Sequence, residues 1–144
     1  MLIRQLEQRE RHQVGQLVWA VFLEFEAPDY SQEGIQTFYH IINDDDFMGS
    51  LNLYGAFENG SLIGVVGTRN EGNHVALFFV HKDYQKQGIG KELFRCVIKN
   101  STANIITVNS SPYAVNVYHR LGFIDTDVEQ STDGIRYIPM KYKK

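Results

Sequence analysis

The sequence predicts a single mixed α/β domain over residues 1–144, with elements in the order β-α-α-β-β-β-α-β-α-β-β. Three observations carry that expectation. Val14, Leu17, Val18, Val21, Phe22 and Phe25 recur at the spacing of one helix face. Asn59-Gly60 stands between two β-rich runs, LNLYGAFE and SLIGVVGTR, and that dipeptide is a strong hairpin signal. HVALFFV, residues 74–80, is an apolar strand of the kind found at the centre of a sheet.

The remaining elements follow in order. LIRQL near the N-terminus alternates as a first strand. Ala27-Pro28-Asp29 ends the first helix, because proline lacks an N–H and pushes its predecessor out of helical geometry. Ser31 is placed to cap a second helix with Ile35, Phe38, Tyr39 and Ile42 on its inner face. Asn43-Asp44-Asp45-Asp46 reads as a polar break and solvated surface, with no metal site. After the hairpin, Glu71-Gly72-Asn73 turns the chain into HVALFFV. A glycine-rich loop follows, then a helix burying Ile89, Leu93, Cys96 and Val97, then the strand ANIITV. Pro112 suits a first helical turn, and Ala114, Val117, Tyr118 and Leu121 form a fourth apolar stripe that Gly122 ends. FIDTDVE and GIRYIPMKY, around Thr132-Asp133-Gly134, close the chain as a hairpin.

At 144 residues the chain can bury a core without disulfides, and its single cysteine excludes a disulfide framework or a cysteine-based zinc site. A net charge of −3 argues against general nucleic-acid binding, which needs clustered positive charge. No apolar run is long enough for a membrane span and no signal-peptide core is present, so the cytoplasm is the expected compartment.

The chemistry begins at the loop, Tyr84 to Phe94, YQKQGIGKELF. A helix that starts at a glycine turn directly after a strand presents unpaired N–H groups and a positive dipole end, which together suit an anion. Gly88 and Gly90 leave room for close approach, and Lys86 and Lys91 add positive charge at the rim. A P-loop would need a hydroxyl after Gly90-Lys91, where Glu92 stands. A dinucleotide fingerprint would need a third glycine at Leu93.

Gln85-Lys86-Gln87-Gly88-Ile89-Gly90 resembles the [Arg/Gln]-x-x-Gly-x-[Gly/Ala] loop of the GCN5-related N-acetyltransferases. Downstream, VNSSPYAVNVYHRLGF, Val108 to Phe123, resembles that family's second motif, with Ala114 and Tyr118 one turn apart before Leu-Gly-Phe. The resemblance covers essentially the whole chain; EFEAPDYSQEGI adds a likeness to the substrate-side helices of small bacterial members. It implies the acyl-CoA N-acyltransferase fold, a mixed, mostly antiparallel central sheet with flanking helices. It also implies acetyl-coenzyme A in a cleft between splayed strands. Phe78, Phe79 and Val80 would then lend backbone contacts, and Gln85, Lys86, Gln87, Gly88, Ile89, Gly90 and Lys91 would hold the diphosphate. A bulge near Leu77 or Phe78 would aim an N–H at the thioester oxygen. Two departures stand out: Lys82 occupies a common proline position, and Ser111 a common cofactor-contacting asparagine position, for which Asn109 or Asn116 are substitutes.

The family implies direct attack by an amine through a tetrahedral intermediate, so Cys96 is expected to be structural. Tyr118 matches the family's general acid: a phenol with pKa about 10 can protonate a thiolate whose conjugate pKa is about 8.5. By spacing alone, Tyr118 would be a core residue. For the acceptor side the candidates are Glu24, Glu26, Phe25, Tyr30 and His74, with Trp19 as a further wall. The expected acceptor is a small-molecule primary amine. Two other readings stay open: an acyl-CoA-binding module without turnover, and a protein N-terminal or lysine acetyltransferase, which would need an open groove. Exposed strands in the C-terminal hairpin leave room for a homodimer.

Overall fold

The computed structural model describes residues 1–144. Strand β1 (Leu2–Gln5) passes through a 3₁₀ turn into α1 (Arg11–Val21). The helix does not stop at Val21. It widens into a π-helical turn, Phe22–Glu26, and tightens into a 3₁₀ turn, Ala27–Asp29, before α2 (Gln32–Ile42). Then come α3 (Asp45–Gly49), β2 (Asn52–Glu58), β3 (Ser61–Arg69) and β4 (His74–Val80). Helix α4 (Ile89–Asn100) leads to β5 (Ile105–Ser110), α5 (Val115–Leu121) and the strands β6 (Ile124–Asp125), β7 (Gln130–Thr132) and β8 (Ile135–Lys143).

The strands form one sheet in the order β1-β2-β3-β4-β5-β8-β6, with β7 pairing β8 off that path. Every pairing is antiparallel except β4 with β5. That parallel junction holds only His74 opposite Thr107 and Val75 opposite Val108. Beyond Val75 the two strands diverge, so Leu77–Val80 pair with β3 on one side and face a wedge-shaped cleft on the other.

Each face of the sheet carries its own core. Val14, Val18 and Phe22 from α1 and its extension pack on Leu53, Val65 and Leu77, while Leu93, Phe94 and Val97 from α4 pack on Ile106, Phe123 and Met140. A β-bulge in β4 decides which residue meets which core. Gly67 lies opposite Leu77 and Thr68 opposite Val75, so Ala76 is the extra residue, one position before the expected site. Ala76 and Leu77 therefore both face the first core, and Phe78 is returned to the second.

Both predicted hairpin turns form. Asn59 and Gly60 have φ of 51° and 82°, and Asp133 and Gly134 have 52° and 81°, as type I′ turns require. Elsewhere the structure departs from expectation. The acidic run read as a polar break is the start of α3, where the Asp44 carboxylate accepts from the N–H groups of Asp46 and Phe47 at 2.8 and 3.2 Å. Cys96 is only half-buried; Phe94 takes the core position expected of it. Tyr39 and Val117 are exposed although each lies on an apolar stripe. Helix α5 begins at Val115, three residues after Pro112, and a two-residue strand, β6, precedes the final hairpin.

Candidate functional site

The glycine loop starts where β4 ends. A 3₁₀ turn, Lys82–Tyr84, reverses the chain, and Lys86 and Gly88 then take left-handed φ of 61° and 84°. Gly88 is the N-cap of α4, and no side chain caps that helix. None of the main-chain N–H groups from Gln85 to Gly90 donates to another protein group. A Cβ at Gly88 would meet nothing within 4 Å, so the space above these amides is open. Lys86, Gln87 and Lys91 are exposed around it. This is the geometry of an anion cradle.

Within the loop the residues divide by role. The Ile89 side chain is buried, 3.2 Å from where a Cβ at Gly64 would stand, so only its backbone faces the cradle. Gln85 braces the loop: its Nε2 donates to the Val80 carbonyl at 3.0 Å, and its Oε1 lies 3.5 Å from the Tyr113 hydroxyl. Gln87 Nε2 donates to the Asp83 carbonyl. Phe79 packs away from the cleft against Phe38, with centroids 6.1 Å apart. Phe78 faces the other way, edge-on to the Tyr118 ring at 5.9 Å.

Tyr118 is 6% exposed, held between Phe78 and Phe123. Its hydroxyl makes no hydrogen bond, yet no fully buried side-chain polar atom in the chain lacks a partner. The hydroxyl is therefore not completely sealed from solvent. Burial raises the Tyr118 phenol above its ordinary range, and the negative charge of Glu26 raises it further.

Glu26 arrives from the opposite lip, at the last residue of the π-helical turn. Desolvation is the main cause that lifts its carboxyl to about 7, with Asp29 adding to the rise. The Ser111 hydroxyl, a hydrogen-bonding neighbour, pulls in the other direction. The residue as a whole is half-buried, so the carboxyl is the desolvated end of a side chain that still reaches the cleft. Phe25, just before it, stacks on Tyr113 with centroids 5.2 Å apart and planes 24° from parallel. Tyr30 lies beside Glu26 and Asp29, and burial and both carboxylates push its phenol up.

Other candidates lie elsewhere. His74 sits at the closed end of the splay, its Nδ1 2.8 Å from Thr107 Oγ1, and burial lowers its pKa to about 4, with Arg69 assisting. Glu24 is exposed and pairs with Lys82 across 3.9 Å. Asn109 and Asn116 are exposed on β5 and α5, whereas Ser111 is buried, accepting from the Ala114 N–H at 3.3 Å. Trp19 packs on Phe22 and Tyr39 and lines a separate outer hollow of about 560 Å³ with Ile42 and Met48. Sequence reasoning missed Tyr113 and Arg136. Both are turn or strand residues without periodicity, and only the chain's crossing at the cleft gives them meaning.

A family model described as an acetyltransferase (GNAT) domain matches residues 26–144. The chain belongs to the GNAT acetyltransferase family. A curated relative, an uncharacterised N-acetyltransferase (ycf52) of Gracilaria tenuistipitata var. liui, is 32% identical over 87 residues. That match takes in 56% of this chain and 48% of the relative, about half of its length. Among solved structures, a GCN5-related N-acetyltransferase from Rhodopseudomonas palustris superposes with a TM-score of 0.86 at 19% identity, covering 99% of this chain and 95% of its own. The PaiA N-acetyltransferase from Thermoplasma acidophilum, solved in complex with coenzyme A, gives 0.76 at 18% identity, covering 99% and 98%. These likenesses share the splayed GNAT fold.

Proposed function

We propose that this GNAT protein is an acetyl-CoA-dependent N-acetyltransferase whose acceptor is a small-molecule primary amine. One observation carries the reading: where β4 and β5 part, Tyr118 packs edge-on to Phe78, and the charge of Glu26 acts on its phenol. The coenzyme A in the Thermoplasma relative supports the donor assignment, as do the open amides of Gln85–Gly90. When bound, acetyl-CoA would supply an acetyl group already activated as a thioester.

The chain's residues would then act as follows. The unpaired side of β4 at Phe78–Val80 would hold the pantetheine, and amides beside the Ala76 bulge would stabilise charge developing on the carbonyl oxygen. Glu26, ionised above about pH 7, first holds an ammonium acceptor, which loses one proton to water. As the amine nitrogen bonds to the carbonyl carbon its remaining protons become acidic, and Glu26 takes one. Tyr118 gives its proton to the sulfur as the C–S bond breaks. Burial makes the phenol a weaker acid but makes the leaving thiolate a stronger base, so the pair stays matched. Glu26 then returns its proton to the tyrosinate, and both groups are restored.

The test is an amine panel with detection of free CoA, run on wild type and Tyr118→Phe. The variant should lose about 10²–10⁴-fold in kcat while its affinity for acetyl-CoA persists. Unchanged turnover would remove Tyr118 from the mechanism. A wild type that binds acetyl-CoA but transfers to no amine would favour a binding module.

A further inference from the structure

The register of β8 places the final hairpin over the acceptor side of the cleft. Ser110, the last residue of β5, pairs with Ile138. Residues 135–137 therefore run on past the point where β5 has turned away toward α5, and there they pair with β7 instead. The tip of that hairpin docks on α2 with little space between them. A Cβ built on Gly34 would lie 2.1 Å from the Gly134 carbonyl oxygen, and one on Gly134 would lie 2.4 Å from the Gly34 nitrogen. No side chain fits at either position. Two hydrogen bonds flank the contact: Thr37 Oγ1 donates to the Asp133 carbonyl at 2.8 Å, and Arg136 Nη1 to the Asp29 carbonyl at 2.9 Å. Arg136 also grips both Glu129 oxygens at 3.1 Å, which stiffens the hairpin behind its tip.

Asp29 and Tyr30 connect this dock to Glu26, three and four residues away along the chain. Arg136, Tyr30, Asp29 and Glu26 are close enough to perturb one another electrostatically. The hairpin thus bridges from β8 to α2 beside the carboxylate, where an open-groove acceptor would have to lay its flanking chain.

We propose that the glycine-on-glycine contact between Gly34 and Gly134 is a latch that limits the acceptor to small amines and excludes peptide-borne ones. The proposal rests on the transferase reading above. It makes Gly34 and Gly134 specificity-determining residues that touch neither the donor nor the reacting atoms.

Gly34→Ala is the direct test. Alanine is the better helix former at that position, which favours folding of the variant. Its methyl group must nevertheless displace the Gly134 carbonyl. Acceptors would be short alkyl amines, phenethylamine and a blocked octapeptide with one lysine, followed by CoA release. Wild type should acetylate at least one small amine and discriminate against the peptide. Gly34→Ala should narrow that discrimination by about tenfold, and Arg136→Ala should move it in the same direction. Amide exchange across 131–136 should quicken in Gly34→Ala with the melting shift from acetyl-CoA retained.

The latch is overturned if wild type uses peptide and small amines alike. It is also overturned if discrimination and exchange stay unchanged in Gly34→Ala. Transfer to no acceptor, with acetyl-CoA still bound, is a different failure: it defeats the transferase reading and the latch with it.

Discussion

The surroundings of Glu26 oppose its ionisation. A carboxyl with an ordinary value of 4.5 is held at about 7, chiefly by desolvation. The fold favours its neutral form, so its contribution to stability is fully present below 4.5 and is lost as pH rises through 7. Each unit of that window costs about 1.4 kcal/mol. Glu26→Gln should therefore be more stable than wild type above pH 7, by on the order of 3 kcal/mol in urea titrations. Its kcat/KM should fall by roughly 10²–10⁴-fold and lose the ionisation near 7. A variant that keeps that ionisation would show the base to be another group. The sequence offered both as candidates, Glu26 from its place at a helix end and Tyr118 from its motif. Nothing in the sequence marks their proximity, because only the fold brings Glu26, at the end of the π-helical turn, beside Ser111 and Tyr118 from the segment after β5.

At the scale of elements, most of the fold could be read from period and punctuation. The type I′ turns at Asn59-Gly60 and Asp133-Gly134 formed as those residues dictate. Two irregularities lie beside the cleft: the π-helical turn could not be read, and the β4 bulge was expected only from the family resemblance, near Leu77 or Phe78. The π-helical turn at Phe22–Glu26 keeps Phe22 fully buried in the first core while delivering Phe25 and Glu26 to the cleft. The Ala76 bulge turns Phe78 toward Tyr118. Each inserts one residue into a regular repeat, and apolar periodicity carries no mark of such a phase change. The glycine loop gives the element-scale prediction. Acetyl-CoA at 100 times its dissociation constant adds about 2.7 kcal/mol, which for a domain of this size raises Tm by roughly 5–10 °C. Gly88→Glu should abolish that rise, because it puts a carboxylate and an unfavourable left-handed φ into an anion cradle. Differential scanning fluorimetry measures it, and a rise that survives in the variant places the diphosphate elsewhere.

The whole molecule is one sheet with an uneven seam. Between the halves β1–β4 and β5–β8 the ladder has only two residue pairs; α4 adds a connection through Phe94, which meets Phe123 and Tyr142 at 5.1 and 5.0 Å, and the final hairpin adds another through its dock on α2. A sheet joined so thinly at mid-width need not unfold as one cooperative unit. The C-terminal half, whose strand β5 leaves Ile105, Thr107 and Asn109 exposed on the face away from α4, should be the weaker foldon. Its slowest amides should exchange at a lower opening free energy than those of β2 and β3. A donor lying in the wedge touches both lips, so acetyl-CoA should bring the two free energies together, well beyond the residues it contacts. Coincident values without the donor would mean that α4 and the hairpin's dock on α2 already bind the halves into one unit. In that light the cleft is also a missing stretch of ladder, and the molecule that fills it would complete the sheet's cooperativity.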